Sequence, residues 1–209
     1  MSGYPIFLDL TDRLVVVVGA GKVARRKVQM LLEAGARILV IGPPTDERLI
    51  EWINQKKVEN RPRPYQTGDL KGAAVAFAAT DSSDVNREVR QEARERGIPV
   101  NVATDPDLCD FTVPSIVRRG ELCIAISTGA SAPRLARRIR GELEAQFGPE
   151  YESFLRILKE CRARVTRSDE DEETKRELFD RLLDSAILQL IGEGREEEAK
   201  KLAEKLLTE

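Results

Sequence analysis

The chain has 209 residues, 41% of them hydrophobic and 33% charged, with a net charge of −2. Such a composition fits a globular protein with one sizeable core and a smaller second unit, and argues against a general nucleic-acid binder, which is strongly basic. The sharpest exclusion is the complete lack of histidine: Ser–His and Cys–His catalysis and histidine metal sites are ruled out, and acid–base chemistry near neutral pH falls to carboxylates, lysine, tyrosine, cysteine, water or the substrate.

The first element in chain order is an apolar strand, Leu14–Val18, running into Gly19-Ala20-Gly21-Lys22-Val23-Ala24. This is a G-x-G-x-x-A turn, which brings backbone N–H groups to a pyrophosphate at a helix N-terminus. Gly19 serves the tight turn, Gly21 clears room for phosphates, and Ala24 keeps the helix close to the sheet. A helix near Val23–Glu33 follows, closed by Gly35, then strand Arg37–Ile41 ending at Gly42-Pro43-Pro44. Next come a helix over Glu47–Gln55, a short strand around Val58–Pro62, strand Ala73–Ala79, helix Val85–Arg96 closed by Gly97, and strand Ile98–Ala103. Apolar strands between amphipathic helices predict an α/β class, a Rossmann-like doubly wound parallel sheet with its ligand crevice at the strand carboxyl ends. That rim collects Gly19–Lys22, Ile41–Pro44, Thr80–Asp81 and Asn101–Asp105. The tip after Ile41 carries neither an obvious carboxylate for a ribose 2′-hydroxyl nor an obvious arginine for a 2′-phosphate, the nearest acid being Asp46, and the reading leans to NAD over NADP.

Thr80-Asp81-Ser82-Ser83-Asp84 reads first as a helix cap, with Ser83 or Asp84 as the capping residue and Thr80 and Asp81 as cofactor contacts. The loop from Asn101 to Phe111 holds Thr104, Asp105, Asp107 and Asp110 at a strand end, either a polar turn around Pro106 or a functional loop. Beyond Phe111 the character changes. Val113–Val117 and Leu122–Ser127 predict two strands joined through Arg118-Arg119-Gly120, followed by a helix over Pro133–Gln146. Arg118, Arg119, Arg134, Arg137, Arg138 and Arg140 lie close together in sequence with a single acid, Glu121, among them. This excess is either plain surface charge or a receptor for a polyanion, with Thr128 and Ser131 as extra donors. From Tyr151 the chain is helical and charge-rich, and the acidic run Ser168–Thr174 marks a linker or helix start. Cys109, Cys123 and Cys161 lack metal-ligand spacing. Their odd number and the lack of a leading apolar segment lead us to expect reduced thiols and a cytoplasmic location. No apolar run approaches the roughly 20 residues that cross a bilayer.

In combination, Tyr4–Leu10, Val18–Lys27, Ala78–Asp81 with Val85-Asn86, Leu108–Phe111, Pro114–Arg119 and Ala125–Gly129 resemble the precorrin-2 dehydrogenases of siroheme synthesis, including the N-terminal module of multifunctional siroheme synthase. The match is collinear over about residues 4–145. The resemblance implies NAD-dependent oxidation of precorrin-2, a polycarboxylate tetrapyrrole, to sirohydrochlorin, with ferrous iron insertion by some members, and a homodimer formed largely through the segment after the nucleotide domain. It suggests a Rossmann domain over 1–112, a dimerisation and substrate segment over 113–147 and a helical domain over 148–209. Cofactor contacts are expected at Gly19, Gly21, Lys22, Val23, Pro43, Pro44, Thr80, Asp81 and Asn101, and substrate contacts at Arg118, Arg119, Thr128, Ser131 and Arg134. One departure stands out: the family's loop aspartate falls on Thr104, so the acid–base role passes to Asp105 or is not needed. No resident metal, nucleic acid or membrane is expected, and a nucleotide sensor without turnover is the rival reading.

Overall fold

Val15–Val18 offer no polar face, so the strand they form can exist only with both sides covered. The computed structural model describes residues 3–208, and in it β1 (Leu14–Val18) is the central strand, its four valines at most 1% exposed. It pairs in parallel with β2 (Arg37–Ile41) on one side and β4 (Val75–Ala78) on the other, flanked by β3 (Glu59–Arg61) and β5 (Val100–Val102), in the order β3-β2-β1-β4-β5. Alternate valines serve opposite faces. Val15 and Val17 pack with Ala24, Val28 and Leu31 of α1 (Lys22–Glu33) and with Leu49 and Trp52 of α2 (Glu47–Asn54). Val16 and Val18 pack with Val89 and Ala93 of α3 (Ser83–Arg96), and with Tyr65 and Leu70 from the connection after β3. Each such fully buried valine or leucine contributes about 1.5–3 kcal/mol relative to exposure. The fold is a Rossmann-like doubly wound sheet. Because the winding reverses between β1 and β4, the carboxyl ends of these two strands part and open a crevice.

Helix boundaries follow local chemistry. Asp46 begins α2, its Oδ1 accepting from the N–H groups of Arg48 and Leu49 at 3.1 and 3.3 Å. The cap of α3 is Ser82, not Ser83 or Asp84 as expected: Ser82 is extended and its Oγ accepts from Val85 N–H at 3.3 Å, whereas Ser83 is already helical and its hydroxyl accepts from Arg87. Gly97, at φ 66°, closes α3 in the left-handed conformation. The connection after β3 is held by two buried acids. Asp69 accepts from Arg61, from Arg63 and from Gln66 N–H. Glu92 accepts from the Tyr65 hydroxyl, from Gly68 N–H at 2.9 Å and from Arg96 at 2.5 Å.

The chain divides between Val113 and Pro114 into two compact units. The second begins with an antiparallel hairpin, β6 (Ser115–Arg119) and β7 (Leu122–Ile126). Arg118 and Arg119 therefore lie in the strand rather than in its turn, paired across to Cys123 and Leu122. Gly120, at φ 57°, supplies the left-handed turn residue instead. Then follow α4 (Pro133–Gln146), α5 (Glu150–Arg167), α6 (Glu172–Leu183), α7 (Ile187–Gly192) and α8 (Glu196–Leu206). Phe154, Ile157, Cys161, Leu182, Ile187, Ala199 and Ala203 form the core of the last four helices. The acidic run is a helix start: Asp171 accepts from Thr174 N–H at 2.8 Å. No helix among the described residues is long and apolar enough to cross a membrane.

Candidate functional site

The glycine turn leaves β1 at the crevice. Gly19 has φ 108°, and a Cβ there would lie 2.3 Å from the carbonyl oxygen of Ala79, so the crossing of β1 past β4 admits no side chain. Gly21 differs: a Cβ would meet only Thr45 Oγ1, at 3.8 Å. Nothing in the protein itself demands glycine at position 21. The open space beside it, at the start of α1, is a cradle that a methyl group would fill. Helix α1 starts there without a capping side chain and with no acid in its first turn. Its leading N–H groups, Lys22 and Val23 among them, have no intrahelical partner and form an electropositive helix end. A dinucleotide pyrophosphate fits this arrangement.

The β2–α2 loop is bound to the glycine turn. Gly19 N–H donates to Ile41 O at 2.8 Å, and Thr45 N–H donates to Ala20 O at 3.2 Å. Gly42 N–H donates to Arg61 O, while its carbonyl accepts from Asn60. Pro43 and Pro44 bring no N–H to this tip, so its main chain presents acceptors to a ribose.

At the β4 end a single buried amide organises the rim. Asn86 is 1% exposed, and its Oδ1 accepts from Thr80 N–H at 3.3 Å and from the Thr80 hydroxyl at 2.8 Å. Its Nδ2 donates to Thr80 O at 3.0 Å and to Thr104 Oγ1 at 3.2 Å. Thr80 and Thr104 are thus brought together through α3, while Asp81 stands exposed beside them. Because Thr104 oxygen accepts from Asn86, its O–H proton is left for another partner. The sequence pattern alone gives Asn86 no role. Its signal was a polar residue on the same buried helical stripe as Val89 and Ala93.

Most of the loop after β5 is committed to holding itself. Cys109 Sγ accepts from Val102 N–H at 3.1 Å, and Asp110 accepts from Val100 N–H and from Arg90. Phe111 packs edge-on against Phe77. Asn101, expected at the cofactor, is 8% exposed and donates to Phe111 O at 3.0 Å, so its amide ties the loop down. Asp105 lies half-buried, one oxygen accepting from Asp107 N–H at 3.0 Å to start a short 3-10 turn at Pro106–Leu108. These hydrogen bonds make the loop a polar turn around Pro106, with Thr104 exposed and Asp105 half-buried at its start.

In the second unit the arginine excess divides. Arg119 donates from Nε to Phe147 O at 2.9 Å and from Nη2 to Glu144 O at 3.1 Å, closing the C-terminus of α4. Arg119, expected among the substrate contacts, is engaged here by these two carbonyls. Arg138 and Arg140 pair along the helix with Glu142 and Glu144. Arg118, Arg134 and Arg137 are exposed. Thr128 Oγ1 accepts from Ala132 N–H, and the turn before α4 places Gly129 and Ala130 consecutively at φ 60° and 67°. A left-handed alanine is strained, and such strain concentrates where a loop must hold a fixed shape. Ser131, Arg134 and Arg137 stand at the opening of this helix, which has no acid in its first turn.

These features agree with comparisons to known proteins. Residues 6–115, more than half of the chain, match the family described as "Putative NAD(P)-binding". The chain belongs to this family. Residues 119–146 match a second model, "Sirohaem biosynthesis protein central". A siroheme synthase of Thioalkalivibrio sulfidiphilus is 37% identical over 207 residues, covering 99% of this chain and 42% of that protein. One from Pseudomonas aeruginosa strain UCBPP-PA14 is 39% identical, covering 99% and 44%. The chain thus spans less than half the length of these relatives. Among solved structures, "SirC, precorrin-2 dehydrogenase" superposes with a TM-score of 0.78 at 28% identity, over 97% of this chain and 100% of that one.

Proposed function

We propose that the chain is a cytoplasmic, NAD-dependent dehydrogenase that oxidises precorrin-2 to sirohydrochlorin in siroheme synthesis. The observation that carries this reading is the likeness to a precorrin-2 dehydrogenase along that protein's whole length, joined to a crevice built for a dinucleotide. Gly19, Gly21, Lys22 and Val23 hold the pyrophosphate, Pro43 and Pro44 border the adenosine ribose, and Thr80 and Asp81 line the nicotinamide side. When bound, NAD supplies the acceptor for two electrons and one proton of the substrate. Asp105 takes the second proton, and the Thr104 hydroxyl, held by Asn86, orients the reacting edge. In the second unit Arg118 and Arg134 hold substrate carboxylates, with Thr128 and Ser131 shaping the turn beside them. The working molecule is a homodimer. The hairpin supports this, since of β6 and β7 only Val117 is fully buried while Leu122, Ile124 and Ile126 remain half-buried.

The deciding experiment is anaerobic turnover of precorrin-2 with NAD, following NADH and the sirohydrochlorin spectrum together, before and after ferrous iron is added. NADH and sirohydrochlorin rising in step are expected, and a further iron-dependent spectral change would add chelation. Tight NAD binding without turnover would overturn the dehydrogenase in favour of a nucleotide sensor.

A further inference from the structure

A 2′-phosphate distinguishes NADP from NAD, and in a doubly wound sheet it lies beyond the end of the second strand. There the chain presents Gly42, Pro43 and Pro44, a tip lacking both the usual carboxylate and, at its two prolines, backbone donors. The elements around this tip nonetheless carry four arginines, each tied to a carboxylate. Arg48 pairs with Glu51 at 2.6 Å, and Arg61 and Arg63 both pair with Asp69. Arg25, one residue past the G-x-G-x-x-A turn on α1, reaches the loop and places its Nε 3.4 Å from Asp46 Oδ2. Asp46 is itself only 13% exposed, and its other oxygen caps α2. Its charge faces Arg25 and the N-terminus of α2.

Resting on the cofactor reading above, we propose that Asp46 is a specificity-determining residue that selects NAD over NADP by neutralising Arg25. A doubly charged 2′-phosphate meets carbonyl oxygens and a guanidinium whose charge is already offset by Asp46, whereas a 2′-hydroxyl can donate to those same carbonyls. Asp46 acts through Arg25 and is a positioning residue, not one that touches the reacting atoms.

Asp46→Asn separates this role from helix capping, because asparagine caps as well as aspartate but carries no charge. The full chain is titrated with NAD and with NADP by intrinsic or cofactor fluorescence, and the ratio of the two dissociation constants is read. The variant is expected to shift that ratio toward NADP by about tenfold, the effect of one freed charge-assisted hydrogen bond. Arg25→Gln in the Asp46→Asn background is expected to return the ratio to its starting value. A ratio unchanged in Asp46→Asn, with both affinities moving together, would reduce Asp46 to a helix cap and overturn the proposal. So would a shift that persists without Arg25. Parent protein that binds neither dinucleotide would overturn the cofactor reading itself, a result distinct from NAD binding with an unmoved ratio.

Discussion

Gly19 and Gly21 stand two residues apart in one turn, yet their replacement should damage different things. Gly19→Ala sets a methyl group against the Ala79 carbonyl at a positive φ, which forces β1 and β4 apart and should cost about 2–4 kcal/mol of stability, read by urea unfolding. Gly21→Ala meets no such obstacle and should keep its melting temperature while NAD affinity falls at least about tenfold. The motif was legible in the sequence, but this division was not, since it depends on where β4 crosses. At the loop after β5, Asp105→Asn retains an oxygen to accept from Asp107 N–H and removes only the charge. Turnover should fall by about 100-fold or more, the usual worth of a general base, with NAD affinity unchanged. Unchanged turnover would leave Asp105 as a cap alone. That Thr104 leans on Asn86 was invisible in the sequence, where the two are 18 residues apart and only the meeting of β5 with α3 joins them.

Among the elements, those that bury a periodic apolar stripe were read nearly to the residue. β1, β2 and α4 were expected over the spans they occupy, and the remaining strands and helices of the sheet shifted by at most a few residues. Reading failed where side-chain chemistry suggested one role and pairing imposed another. Arg118 and Arg119 look like turn residues, but Gly120 and Glu121 make the turn and the strand runs on through both arginines. Pairing also decides what Arg119 does, because it projects to the carbonyls that end α4. Arg119→Ala should fray that helix end and lower stability by about 1–2 kcal/mol, detectable in thermal unfolding, whereas Arg134→Ala should leave unfolding unchanged and raise the precorrin-2 KM. Equal effects of the two on KM would undo the distinction.

Across the molecule, the chain carries its charge in local pairs, and one of them sets an acid limit. Asp69 is held at a pKa of about 2, chiefly by its hydrogen bond from Arg63, with burial opposing and Gln66 N–H and Arg61 assisting. A carboxylate depressed on folding adds stability that is complete above its unfolded value near 4 and drains away as pH falls towards 2. Urea midpoints should therefore drop between pH 4 and 2. Asp69→Asn should lower the neutral-pH midpoint, by about 1–3 kcal/mol of stability, and flatten that acid drop. The stapling of the glycine turn to the β2–α2 loop, by Gly19 N–H to Ile41 and Thr45 N–H to Ala20, reaches further than geometry. Both walls of the dinucleotide slot become ordered as the sheet folds, so the ligand enters a receptor whose loop entropy is already lost. Association should then be governed by diffusion and charge rather than by a closing step, with a single kinetic phase in stopped-flow binding. Oxidised and reduced dinucleotide could exchange between turnovers without the protein having to unlatch.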